Sequence, residues 1–272
     1  MELDDAPLGR TSAYPEHYDP ALLYPVARAQ ARDSLGLADG WPWQGEDRWQ
    51  AWELSWLRPD GVPRVATAEF RVPADSPNLI ESKSLKLYLN AFNSTVFEGV
   101  ESVRTTIERD LSEAAGAAVS VVLGDVDADA GLVARPEGAH LIDDVEGVIM
   151  PADGPLASLR SLDGDVVTES LCSHLLRSLC PVTGQPDWAT LVVHYTGARM
   201  RPEALLGYVI SYREARDFHE ACVERIFTDL RDALTPERLS VGAFYTRRGG
   251  LDINPWRSTH QGDAPASRLL RQ

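Results

Sequence analysis

A self-match constrains this chain more than any other feature. When Leu85 is laid on Leu205, the segment PNLIESKSLKLYLNAF falls over GARMRPEALLGYVISY, so that Tyr88 meets Tyr208 and Phe92 meets Tyr212. Self-similarity at a long, fixed offset marks a repeated structural unit. The flanking pattern repeats too. In the first half, WQAWELSWL and RVATAEFRV read as strands between Trp49 and Pro73, joined by the turn RPDGVP. Glu81–Asn93 and Phe97–Ala115 read as helices, the second with Val100, Val103, Ile107 and Leu111 on one face. Ala117–Leu123 is a β-branched strand. In the second half, Val166–Leu171 and Ala189–Tyr195 read as strands and Pro202–Tyr212 and Phe218–Leu234 as helices. Leu239–Tyr245 is again a strand. The order strand, strand, helix, helix, strand therefore occurs twice, which predicts a duplicated ββααβ-type α+β unit.

The expected division is an N-terminal arm over 1–48, a first module over 49–155, a second over 156–258 and a tail over 259–272. The arm is rich in Pro, Tyr and Leu, too apolar for a free tail, and is expected to lie on the core. The acidic stretch Asp125–Gly147 should hold a connection and one strand, and the seam falls within Met150–Leu162.

The net charge of −15 disfavours long-range attraction to nucleic acid or an anionic membrane. An anionic ligand would need a local basic cluster, and two exist: YTRRGG (Tyr245–Gly250) with Arg257 nearby, and Lys83 with Lys86. Each also reads as a solvated charged face. No apolar run approaches the ~20 residues of a membrane span, and MELDDAPLGR lacks the apolar core of a secretory signal. Three cysteines, Cys172, Cys180 and Cys222, do not make a disulfide framework, and a reducing cytoplasm is the expected setting.

The segment CPVTGQPDW (Cys180–Trp188) holds the chemistry to weigh. Cys180 is either a packed small hydrophobe, as free cysteines commonly are, or a nucleophile presented by a loop that Pro181, Gly184 and Pro186 stiffen. Asp187 is either a turn residue or a proton donor raised by burial beside Trp188. Cys172 and Cys222 read as packing residues. Cys172, His174 and Cys180 are possible zinc ligands, but C-x-H-x5-C matches no common zinc pattern and has no obvious fourth ligand. His219-Glu220 opens a helix, where glutamate complements the helix dipole or accepts two N–H groups from a guanine-like edge. Glu81, before SKSLK, carries the same two readings. Gly249-Gly250 permit close backbone approach and the preceding arginines suit phosphate. Neither a Rossmann glycine motif nor a P-loop is present.

Four segments together, ESKSLKLYLNAFNST, LCSHLLRSLCPVTGQPDWAT, YREARDFHEACVERIF and YTRRGGLDINPWRS, resemble the NADPH-dependent 7-cyano-7-deazaguanine reductases, the nitrile reductases of queuosine biosynthesis. The ESKSLK segment is specific to that family, and the resemblance runs from about Leu8 to Ser258. It implies the long, two-module form of a tunnelling fold (T-fold) with paired ββααββ modules, assembled as a homodimer. It implies reduction of the deazaguanine nitrile preQ0 to the aminomethyl compound preQ1 by two NADPH, with no metal, nucleic acid or membrane involved. Cys180 then matches the nucleophile, which forms a covalent thioimide, and Asp187 the proton donor. Ile80, Glu81, Ser82, His219 and Glu220 match substrate-binding positions, His219 also being a candidate catalytic residue. Ser82, Lys83, Arg248 and Gly249 match positions that contact NADPH. Leu179 and Pro181 are less usual around the nucleophile. Two other classes compete: a zinc-dependent purine or pterin cyclohydrolase, which the missing ligand set argues against, and a non-catalytic purine-binding module with an inert Cys180.

Overall fold

The computed structural model describes residues 15, 17–37, 40–128, 131–151, 159, 165–262, 264–265 and 267–272. Most of the expected seam and the first residues of the arm lie outside them. In chain order the elements are β1 (Pro25–Ala27), α1 (Ala29–Ser34), β2 (Gln44–Leu57), β3 (Pro63–Pro73), β4 (Asn78–Ile80), α2 (Ser82–Ala91) and α3 (Val100–Ala115). There follow β5 (Ser120–Gly124), β6 (His140–Leu141), β7 (Val166–Leu179), β8 (Pro186–Ala198), α4 (Pro202–Ser211), α5 (His219–Leu234), β9 (Arg238–Tyr245) and β10 (Leu251–Ser258). The protein is α+β, and its chain divides into two compact units, each described by itself below.

The first unit comprises 1–31, 47–129 and 247–253. On β3 the inward positions Ala66, Ala68, Phe70 and Val72 alternate with half-exposed ones, the period-2 signature of a sheet with one buried face. That face packs on α2 and α3 through Tyr88, Phe92, Ile107 and Leu111, with Trp49 and Trp56 of β2 in the same core. β5 pairs antiparallel with β3, Phe70 opposite Val121. Tyr18 from the N-terminal segment stands edge-on to Phe92 and donates to Asp110, which also accepts from Tyr88 at 2.7 Å. Val103, Ile107 and Leu111 face the core as the helical spacing predicts, whereas Val100 is 38% exposed. It is the first helical residue, so its side chain lies before the stripe meets the sheet.

The second unit comprises 32–46, 130–246 and 254–272. Antiparallel pairs β7·β8 and β8·β9 form its centre, and β10 continues from β9 with Trp256 opposite Gly242. A side chain at Gly242 would meet the Trp256 ring at 2.3 Å, which accounts for the glycine. β7 extends eight residues beyond the expected Leu171, because it continues through a register shift between Ser173 and Leu176. That bulge breaks the alternation from which its end was read. β10 was not anticipated, because Pro255 interrupts its pattern; all its residues are buried.

Arg257 corrects a sequence expectation. It is fully buried rather than part of an anion-binding cluster, and its Nε and Nη2 donate to Glu224 Oε1 at 3.1 and 2.9 Å. Arg32 donates to both oxygens of the same carboxylate at 3.0 and 2.7 Å. Burying an arginine requires such charge-assisted partners.

Candidate active site

The second unit gathers one set of residues. At the end of the β7–β8 hairpin Ser178 pairs with Asp187 and Leu179 with Pro186. The loop between them is closed by Cys180 N–H donating to Gln185 O at 2.9 Å and Gly184 N–H to Cys180 O at 3.0 Å. Gly184 has φ 67°, a left-handed turn position that suits glycine. Asp187 therefore lies on a strand rather than in the loop. Alternation puts it on the face of Ala189, which pairs with Tyr245 on β9.

Cys180 and Asp187 are each 4% exposed, and Glu220 is buried as well. His219 begins α5, and its Nε2 lies 3.4 Å from Asp187 Oδ2. Its imidazole stacks on the Tyr245 ring, with centroids 3.7 Å apart and planes within 6°. His219 Nδ1 is buried here without a hydrogen-bond partner, while the Tyr245 hydroxyl interacts with Ser178 and Cys222. Unsatisfied buried polar atoms are costly and cluster where a structure awaits a ligand or serves a chemical role. Trp188, next in sequence to Asp187, takes the guanidinium groups of Arg177, Arg213 and Arg271 within 5.5–5.7 Å of its ring centre.

The other cysteines are set apart by their surroundings. Cys222 is completely buried, and burial pushes its thiol up to about 12. Cys172 packs against Val192 and Phe244, and burial raises its thiol too. Raised thiols are poor nucleophiles at neutral pH, as the sequence reading of both as packing residues implies. His174 Nδ1 contacts Thr190 Oγ1 at 2.9 Å. Among the described residues no three His, Cys, Asp or Glu side chains are placed to hold a metal ion.

The first unit gathers the other set. Ile80 ends β4, paired with Pro25 of β1. Glu81 follows as the N-cap of α2, fully buried, its two oxygens accepting Lys83 N–H at 2.7 Å and Ser84 N–H at 2.8 Å. Burial raises its carboxyl above the ordinary value, opposed by those two N–H groups and by Lys86 and Lys83. Ser82 and Lys83 open the helix, half-buried. Arg248 begins a two-residue hairpin whose central glycines, Gly249 and Gly250, both have positive φ (58° and 78°), the signature of a tight hairpin turn. A side chain on Gly250 would strike Glu53 Cγ at 2.5 Å, and one on Gly249 would meet Lys86 Cδ at 3.3 Å. The turn thus brings the RRGG segment against the SKSLK helix, joining the two segments that carry the basic residues. Tyr245, read from sequence as the start of a basic cluster, instead ends β9 and stacks on His219.

Comparison with known proteins covers nearly the whole chain. Residues 14–123 match the family model "Nitrile reductase, 7-cyano-7-deazaguanine-reductase N-term", and residues 186–264 match "QueF-like protein". An NADPH-dependent 7-cyano-7-deazaguanine reductase of Chromohalobacter salexigens is 54% identical, over 99% of this chain and 98% of its own. One from Azoarcus sp. is 52% identical, over 93% of this chain and 90% of its own. Among solved structures, the archaeosine synthase QueF-Like in the apo form aligns with a TM-score of 0.31 at 21% identity, covering 36% of this chain and 96% of that one. With near-complete coverage by relatives more than half identical, the chain belongs to the family of NADPH-dependent 7-cyano-7-deazaguanine reductases.

Proposed function

We propose that this protein reduces the nitrile of 7-cyano-7-deazaguanine to the primary aminomethyl compound with two NADPH, in the cytoplasm and in the service of queuosine biosynthesis. The observation that carries the chemistry is the β7–β8 hairpin. It presents a buried thiol at Cys180 and a buried carboxyl at Asp187, with the His219 imidazole 3.4 Å from that carboxyl.

A nitrile carbon accepts hydride poorly until a nucleophile has added to it. Cys180 sulfur, as the thiolate, bonds to that carbon as one C–N π pair moves to nitrogen, and Asp187 protonates the nitrogen, giving a thioimide. Bound NADPH supplies hydride. The first hydride adds to the thioimide carbon, and the C–S bond then breaks, returning the pair to Cys180 and leaving an imine. The second hydride adds to the imine carbon as a proton adds to its nitrogen, giving the amine. Water would hydrolyse that imine, and the burial of Cys180 and Asp187 opposes its access.

Glu220 and Glu81 each carry the parallel acceptor pair that a guanine-like N–H edge requires. Glu81 oxygens keep a second lone pair each beside the N–H they already accept. Ile80, Ser82 and His219 are the further positions that the resemblance matches to the substrate, Ser82 also to NADPH, and His219 would serve the proton transfers. For NADPH, Lys83 and Arg248 are the cations that the resemblance matches, and Gly249 packs against Lys86.

The architecture we propose is a T-fold of two ββααββ modules, over 49–155 and 156–258, between an arm and a tail and working as a homodimer. Paired elements support it: α2 and α4 have 10 residues each, and α3 and α5 have 16. Tyr88 donates to Asp110 in one and Tyr208 to Asp229 in the other. Sedimentation of the full chain checks the dimer. The reaction is tested by NADPH stoichiometry. Two NADPH consumed per nitrile, with aminomethyl product, is expected; one per nitrile, or aldehyde as product, contradicts it.

A further inference from the structure

Tyr245 is the last residue of β9 and is fully buried, on the face that carries Asp187. A functional imidazole is ordinarily oriented by a hydrogen bond from the ring nitrogen that does not react. His219 has no such bond: Nδ1 is buried without a partner. Its Nε2 faces Asp187 Oδ2 at 3.4 Å, longer than the ~2.7–2.9 Å of a tight charge-assisted bond. The flat contact with Tyr245 is what remains to set the plane of the ring. The Tyr245 hydroxyl interacts with Cys222 and Ser178 rather than with His219, so the imidazole is met by the aromatic ring. The backbone beneath it is held from both sides. Its N–H donates to Asn254 Oδ1 at 3.2 Å, its carbonyl accepts from Gln272 Nε2 at 3.4 Å, and that amide also donates to Asn254 Oδ1 at 2.7 Å.

We infer that Tyr245 is a positioning residue of the reductase: its ring fixes the imidazole of His219 so that Nε2 faces Asp187. This rests on the reaction proposed above and adds a part to it. Converting a nitrile to a neutral amine takes up two protons with the two hydrides, so Asp187 must be reprotonated after giving its proton. His219 is the titratable group the structure places against it. A ring free to rotate would lose that alignment, and small misplacements of a reacting group cost large factors in rate.

The test is a double-mutant cycle on the full chain, reading kcat and KM at saturating NADPH for wild type, Tyr245→Leu, His219→Ala and the double variant. Tyr245→Leu is expected to lower kcat by roughly tenfold or more while KM for the nitrile changes by less than about threefold. In the His219→Ala background the same substitution should change kcat by less than about twofold, because residues acting as a unit are not additive. Tyr245→Phe, which keeps the ring, should rescue turnover. Tyr245→Met runs the same cycle, so a folding defect in the leucine variant does not decide the outcome. An equal loss in both backgrounds overturns the inference, since it marks a merely structural role. Wild-type kcat in Tyr245→Leu overturns it as well. Wild-type kcat in His219→Ala removes both this inference and the place of His219 in the proposed mechanism, while leaving Cys180 and Asp187 to be judged on their own variants.

Discussion

The two hairpins that end the long strands of each unit have the same frame and opposite chemistry. In the first unit Leu57 is bridged to Val96, and the next residue, Arg58, closes its loop by donating to Val62 O and accepting from Gly61 N–H. In the second, Leu179 is bridged to Arg216, and the next residue, Cys180, closes its loop by donating to Gln185 O and accepting from Gly184 N–H. Counted from the prolines that open β3 and β8, Arg64 stands where the second unit has Asp187. Counted from the starts of α3 and α5, Val100 and Glu101 stand where it has His219 and Glu220. Arg58, Arg64, Val100 and Glu101 are exposed, whereas Cys180, Asp187 and Glu220 are buried and His219 nearly so. In the first unit, Arg58, Arg64 and Val100 line an open cavity of about 270 Å³. Closely similar backbone turns thus carry an exposed arginine in one unit and a buried thiol and carboxyl in the other. Burial of the hairpin end, more than its backbone path, distinguishes the copy that carries the proposed nucleophile.

Substitutions can break this contrast, beginning with the largest effects. Cys180→Ala should abolish turnover to the limit of an NADPH absorbance assay; retained turnover would make the thiol a packing residue after all. Asp187→Asn should keep nitrile binding and lose roughly 10²–10⁴-fold in kcat, the usual range for a positioned proton donor, checked by steady-state kinetics beside a binding titration. Glu224→Ala leaves Arg32 and Arg257 buried without their shared carboxylate. It should destabilise the chain by about 3–5 kcal/mol, read from urea midpoints.

The helix caps sharpen the contrast further. Glu81 caps α2, whereas Arg201 at the start of α4 gives no side-chain cap. Because burial raises the folded Glu81 carboxyl, the native state binds more protons than the unfolded state above the ordinary carboxylate pKa. Its contribution to stability therefore falls as pH rises from that value to the raised one. Glu81→Gln should flatten that part of the urea-midpoint profile, and an unchanged slope would show that the raised carboxyl does not govern it. Smallest of all, Arg58→Ala, at the first unit's counterpart of Cys180, should leave turnover and melting temperature unchanged, since its ion pair with Asp60 is solvated.

Much of this was legible in the chain because local periodicity and tertiary burial agree there. Val103, Ile107 and Leu111 face the core at helical spacing, and Ala66 through Val72 alternate as a strand should. Legibility failed where tertiary contacts override local pattern. The bulge after Ser173 hid the last part of β7, and Pro255 disguised β10. Arg257 read as a ligand for anions because no sequence pattern announces a buried carboxylate 33 residues away. Cys180 and Asp187 were marked by turn residues, but their common burial comes from strand pairing and α5. Tyr245 could be placed beside His219 only once Ala189 was seen opposite it.

The claim that Cys180 is the reacting thiol is tested most directly by intact-mass spectrometry of the protein incubated with 7-cyano-7-deazaguanine and no NADPH. A mass increase equal to the whole ligand is expected, located at Cys180 by peptide mapping and absent from Cys180→Ala. An unmodified wild-type protein that nevertheless binds the nitrile and turns over when NADPH is added would contradict the covalent mechanism.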